Sequence, residues 1–123
     1  MNNDIKKSGF TKSEVYSSMY RKSHSGTYVS YLRGKRCQNE DALFCEISAS
    51  FQFPWYFGEN WPALDECLCD LVWLDIKSLF IVVDDFSATF GGDKCMQDKL
   101  IKQFSRMIEY WKPNIPIEIW LNN

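Results

Sequence analysis

The chain has 123 residues, 46% of them hydrophobic and 16% aromatic, with a formal net charge of −2. That length supplies one domain with a single core, and that apolar content excludes disorder as the default. No run approaches the ~18 consecutive apolar residues of a membrane span. Met1-Asn2-Asn3-Asp4-Ile5-Lys6-Lys7 lacks the apolar stretch of a secretory signal, so a cytoplasmic protein with no membrane partner is expected.

Residues 1–26 are polar, basic and serine-rich. Thr11-Lys12-Ser13-Glu14 has capping-box spacing, with Val15 and Met19 following at i and i+4, which predicts a short helix near 12–22. Ser25-Gly26 breaks it. The segment reads as a basic arm, loosely attached to a domain spanning 27–123. Tyr28-Val29-Ser30-Tyr31-Leu32, ending at Gly34, reads as a strand. Asn39 can cap a helix to about Ser50, with Leu43, Phe44, Ile47 and Phe51 on one face.

A second helix is predicted from Trp61-Pro62 to about Trp73, with the apolar stripe Leu64, Cys67, Leu68 and Leu71. Leu79-Phe80-Ile81-Val82-Val83 is a continuous apolar run, the pattern of a parallel strand buried on both faces. After Gly91-Gly92, Leu100, Phe104, Met107, Ile108 and Trp111 recur at helical spacing, and Pro113 stops that helix. Ile117 to Leu121 forms a closing strand. The order β-α-α-β-α-β predicts a small single α/β domain with a three-stranded parallel sheet packed with helices.

Charge is segregated along the chain. Residues 1–36 carry eight bases and two acids, whereas residues 37–76 carry eight acids and no lysine or arginine. Phosphate contact requires cations, so a forty-residue window without them points away from nucleic acid and toward a basic partner. Five cysteines (Cys37, Cys45, Cys67, Cys69, Cys95) are an odd number at irregular spacing, which reads as reduced thiols in or near the core. With one histidine, His24, in the polar arm, neither a metal nor a cofactor is expected.

The distinctive segment is Phe53-Pro54-Trp55-Tyr56-Phe57-Gly58-Glu59-Asn60-Trp61-Pro62-Ala63-Leu64-Asp65-Glu66-Cys67-Leu68. It gathers aromatics, turns at Gly58 and enters a helix with Asn60 as N-cap. At ~100° per residue, Pro62, Glu66, Cys69, Asp70 and Trp73 lie opposite the core stripe. Glu66 and Asp70 then project carboxylates from one exposed face.

This segment closely resembles the signature of the barstar family of ribonuclease inhibitors: an aromatic pair, Gly-Glu-Asn, Ala-Leu, and an acid-Cys-Leu. Asp70-Leu71-Val72-Trp73-Leu74 and Val82-Val83-Asp84-Asp85 also look like family segments, so the likeness runs over about 28–121. The resemblance implies an inhibitor rather than an enzyme, an immunity or antitoxin protein that is monomeric when free. It implies that the acidic helix and adjoining loop enter a ribonuclease's RNA site, where a carboxylate accepts the charge-assisted hydrogen bonds that phosphate otherwise receives.

Carried over by position, Tyr56 matches the partner-facing tyrosine and Glu66 the main phosphate-mimicking acid. Gly58, Glu59 and Asn60 match the loop motif. Asp65 stands where barstar has an aromatic contact, Asp70 where it has a small residue, and Glu109 on the last helix is matched to a further interface acid. Two departures stand out. Pro62 occupies the place of an interface aspartate, and Glu66 is one methylene longer than the family's aspartate.

Three other readings compete with this one. An immunity protein against a toxin that is not a ribonuclease would use a different surface, the basic arm being its distinguishing feature. An enzyme would use Asp84-Asp85 at a parallel strand's C-terminal end, where paired carboxylates can hold Mg²⁺; no glycine-rich phosphate loop or histidine base accompanies them. A nucleic-acid binder would use the bases of 1–36, but without an aromatic platform in the arm, direct nucleic-acid binding is not expected.

Overall fold

The computed structural model describes residues 4–123. Over these residues the chain forms strands β1 (Ile5–Ser8), β2 (Tyr28–Arg33), β3 (Leu79–Asp84) and β4 (Ile117–Asn122), with helices α1 (Lys12–His24), α2 (Glu40–Phe51), α3 (Trp61–Leu68) and α4 (Lys94–Trp111). The sheet order is β1-β4-β3-β2 and every pairing is parallel. The sheet therefore has four strands, not three. Ile5 stands opposite Ile119 and Lys7 opposite Leu121, a strand the sequence hid because two lysines interrupt its short run.

All six residues of β3 are buried, as its unbroken apolar run requires. Leu79, Ile81 and Val83 point to the face covered by α2, α3 and α4, where they meet Leu43, Ile47, Leu64, Leu68, Leu100 and Phe104. Phe80 and Val82 point to the opposite face, and α1 lies there. Val15 is fully buried against them, with Phe10, Met19, Val29, Tyr31 and Trp120 around it. Residues 4–26 thus pack as a strand and a covering helix, not as a loose arm.

Local chemistry fixes the helix starts. The α1 capping box is complete: Glu14 N donates to Thr11 Oγ1 at 3.1 Å and Thr11 N to Glu14 Oε1 at 2.9 Å. Asn39, Asn60 and Asp93 accept from the first-turn amides of α2, α3 and α4. A polar cluster locks α1 to the sheet. The Asp84 carboxylate, 2% exposed, accepts from Lys12, from Tyr31 Oη at 2.6 Å and from Asn122 Nδ2 at 2.9 Å. Gly34 packs under this end of β3, where a Cβ would come within 2.4 Å of the Asp84 and Asp85 carbonyls.

If α1 is structural, Val15→Asp buries a carboxylate against Phe80 and Val82 and lowers stability by at least about 3 kcal/mol in urea unfolding. Deleting residues 1–26 lowers the midpoint further and opens an apolar sheet face to a hydrophobic dye. An unchanged midpoint for both variants means that the helix does not cover the sheet.

Candidate functional site

The aromatic loop between α2 and α3 divides into anchors and projecting rings. Phe53 and Phe57 meet edge to face at 4.9 Å, and Phe44 of α2 meets Phe57 at 6.1 Å and Trp61 at 5.4 Å. Trp55 and Tyr56, by contrast, are 95% and 57% exposed. The buried Phe44 ring and the half-buried rings of Phe53, Phe57 and Trp61 hold the loop and leave these two presented at small further entropy cost. The left-handed residue of the turn is Glu59, at φ +52°, not Gly58. Asn60 serves the loop as well as the helix: Oδ1 accepts from Ala63 N at 2.8 Å, and Nδ2 donates to the Gly58 carbonyl at 3.2 Å.

Helix α3 is shorter than its sequence pattern predicts. It ends at Leu68, Cys69 is its C-cap, and Leu71 adopts φ +50°. Asp70 and Trp73 are therefore off the helix, and the i, i+4 carboxylate pair expected of Glu66 and Asp70 does not form. Asp70 instead edges an apolar pit floored by Leu71, Leu74, Ile76 and Trp111. Trp73 is half-buried rather than partner-facing: Nε1 donates to the Phe51 carbonyl at 2.9 Å and its ring meets Phe53 edge to face.

Glu66 is exposed and makes no hydrogen bond or salt bridge among the described residues. It lines an open concavity between α3 and α4 together with Asp65, Cys69, Arg106, Glu109 and Tyr110. The structure thus brings Glu66 and Glu109 to one surface. Pro62, in the first turn of α3, is exposed.

Asp65 is occupied internally. Arg106 grips it with Nε at 3.2 Å and Nη2 at 3.1 Å, and Gln103 Nε2 donates at 2.8 Å. The guanidinium and the glutamine amide outweigh partial burial and hold this carboxyl below its ordinary pKa. Burial, with Asp65 beside it, pushes the Cys69 thiol up to about 11, and burial also raises Cys67, so both remain thiols at neutral pH.

Sequence reasoning did not single out Arg106, nor Lys99, whose ammonium sits 5.0 Å from the Trp61 ring centroid while Glu40 accepts from Trp61 Nε1. The base-free window in sequence is not a base-free surface, because α4 supplies cations to it. Helical spacing from the Leu100 and Phe104 stripe was the signal that could have found them.

The other acidic pair has a structural task. Burial pushes the Asp84 carboxyl up, but hydrogen bonds from Lys12, Tyr31 and Asn122 outweigh it and hold the group below its ordinary value. Among the described residues no group of three or more His, Cys, Asp or Glu side chains is placed to hold a metal ion.

Comparison with known families places residues 27–122 under the model described as Barstar (barnase inhibitor). The chain belongs to the barstar family. That family comprises ribonuclease inhibitors, and its match leaves β1 and α1 outside. The fold is also similar, with a TM-score of 0.54 and 15% identity, to a chain in the structure of Drosophila ORC bound to GC-rich DNA and Cdc6. The alignment covers 98% of this chain and 41% of that one, and at such identity it bears on fold alone. No curated protein matches the chain.

The Asp65 brace has a pH signature. Its folded pKa lies below the unfolded value of about 3.9, so its stabilisation is complete above that value and is lost as pH falls through the lower folded pKa. Thermal midpoints of wild type and Asp65→Asn, measured from pH 7 to pH 2, are expected to differ at neutral pH and converge in acid. A gap that is constant with pH excludes the brace as its source.

Proposed function

We propose that this barstar-family chain inhibits a barnase-like ribonuclease by seating α3 and its preceding loop in the enzyme's RNA site. The observation that carries the reading is Glu66: by its motif it matches the family's phosphate-mimicking acid, it is exposed, and nothing among the described residues occupies it. A ribonuclease cleft gathers cations to bind phosphate and to stabilise charge developing in the transition state. A free carboxylate entering that cleft accepts the same hydrogen bonds and excludes RNA. Glu109, in the same concavity, adds a second acid. Tyr56 and Trp55 offer exposed aromatic area of the kind that dominates interface energetics.

Gly58, Glu59 and Asn60 place the loop, and their backbone edges the same contact. Asp70 acts at the margin. Five unpaired thiols suit a reducing compartment, in keeping with an immunity protein that guards the cytoplasm of the cell making the nuclease. The missing carboxylate at Pro62 and the longer Glu66 side chain fit a target pocket shaped differently from that of barnase.

The test is RNA cleavage by barnase and a panel of related small ribonucleases, with wild type beside Glu66→Ala. Wild type abolishes cleavage by at least one enzyme, and barnase itself is held less tightly than barstar holds it. Glu66→Ala binds at least ~2 kcal/mol more weakly, as expected when one partner of a desolvated charge pair is removed. Equal inhibition by both proteins removes Glu66 from the interface, and no inhibition across the panel favours a toxin of another class.

A further inference from the structure

Helix α4 lays one stripe of side chains along the acidic helix. Lys99 sits over the Trp61 ring, Gln103 and Arg106 reach Asp65, and Tyr110 lines the concavity, positions spaced as one face of a helix requires. Arg106 is the member that matters for recognition. Its side chain is 69% exposed although it grips Asp65 through Nε and Nη2. A guanidinium has five N–H donors in a rigid fork, so three remain uncommitted among the described residues. Glu66 and Glu109 share its concavity. The concavity therefore sets one guanidinium among carboxylates: its own partner Asp65, and Glu66 and Glu109.

We infer that Arg106 is a specificity determinant, which pairs with a carboxylate inside the cleft of the target ribonuclease while Glu66 and Glu109 engage its phosphate-binding cations. The inference rests on the proposed inhibitory reading of this face. A cleft lined only by bases would press like charge against Arg106 and desolvate it without a partner, a costly arrangement. Ribonuclease clefts need not be uniformly basic. Acid–base cleavage requires a group that removes a proton from the attacking hydroxyl, and a carboxylate is one of the side chains that does so. Such a cleft presents an acid among bases, the complement of this pattern. The Asp65 pair holds the guanidinium in place before binding, which limits the rotamer entropy lost on docking.

The experiment measures inhibition constants for wild type, Glu66→Ala, Arg106→Gln and Asp65→Asn against the ribonuclease that wild type inhibits, with barnase as the first probe. The same set is repeated on enzyme variants whose cleft carboxylates are changed to amides one at a time. Arg106→Gln is expected to weaken inhibition at least about fivefold. One amide variant of the enzyme weakens wild type by a similar factor and does not weaken Arg106→Gln further. Asp65→Asn, which keeps the guanidinium but loosens its hold, is expected to weaken inhibition by a smaller factor than Arg106→Gln does.

Arg106→Gln binding as tightly as wild type, with Glu66→Ala still impaired, overturns the inference and leaves the inhibitory reading standing. So does an Asp65→Asn loss equal to that of Arg106→Gln, because then the pair is only a brace between helices. If Glu66→Ala and Arg106→Gln are both silent, or no enzyme of the panel is inhibited, the reading beneath the inference fails with it.

Discussion

A strand that is apolar on both faces cannot leave either face in water, and β3 is such a strand. Every other element answers to that constraint. Helices α2, α3 and α4 cover one side, where Leu79, Ile81 and Val83 enter the main core. The other side needs a cover of its own, and α1 supplies it through Val15 and Met19 over Phe80 and Val82. The polar end of the strand is settled in the same step. Asp84 is too buried to stay charged without partners, and the first residue of α1, Lys12, is one of the three that satisfy it. Burying β3 and docking the N-terminal helix are thus one event, although the family match begins only at residue 27.

The division of the sheet into two faces separates support from recognition. All of the proposed contact surface belongs to the three-helix side. Its loop is held from beneath by Phe44, Phe53 and Phe57, and α3 is held sideways by Trp111, whose Nε1 donates to the Leu68 carbonyl at 2.8 Å. Eight residues make a weak helix in isolation. Here Asn60 caps the start, Leu64 and Leu68 are buried, and the Asp65–Arg106 pair ties the outer face to α4. The short helix is therefore presented as a rigid ledge, which suits a surface that must enter a cleft without rearranging.

Much of this was legible in the sequence, and the failures have physical reasons. Hydrophobic period placed β2, β3, β4, α2 and α4 because their burial is one-sided or complete. It overran α3, since Leu71 continues the apolar stripe while its backbone has already turned left-handed at φ +50°. Periodicity records burial, and Leu71 is buried whether or not the helix continues. Trp73 was misjudged for the same reason: counted by helical angle it faces solvent, but off the helix it folds back under Phe53. The first strand was missed because an edge strand with Lys6 and Lys7 carries little apolar signal; the helix α1 was legible from its capping box, but its docking was not, because only two of its side chains, Val15 and Ser18, are buried. The cap at Asn60 followed from the motif, which reports local chemistry directly, and Glu66 and Tyr56, singled out by the same motif, are exposed.

The electrostatic pattern is the most instructive. Counting charge along the chain gives residues 37–76 eight acids and no base, which points to a basic partner but does not describe the surface. Charge acts through space, not along sequence, and α4 inserts Lys99 and Arg106 beside that segment. At separations up to about a Debye length, ~8 Å, an approaching partner senses the summed field, whereas at contact it meets each group separately. On the proposed inhibitory reading, a face with Glu66 and Glu109 beside Arg106 still draws in a basic enzyme, yet accepts at close range only one with an acid in the right place. On that reading attraction follows from the excess of acids, and choice of target from the guanidinium among them.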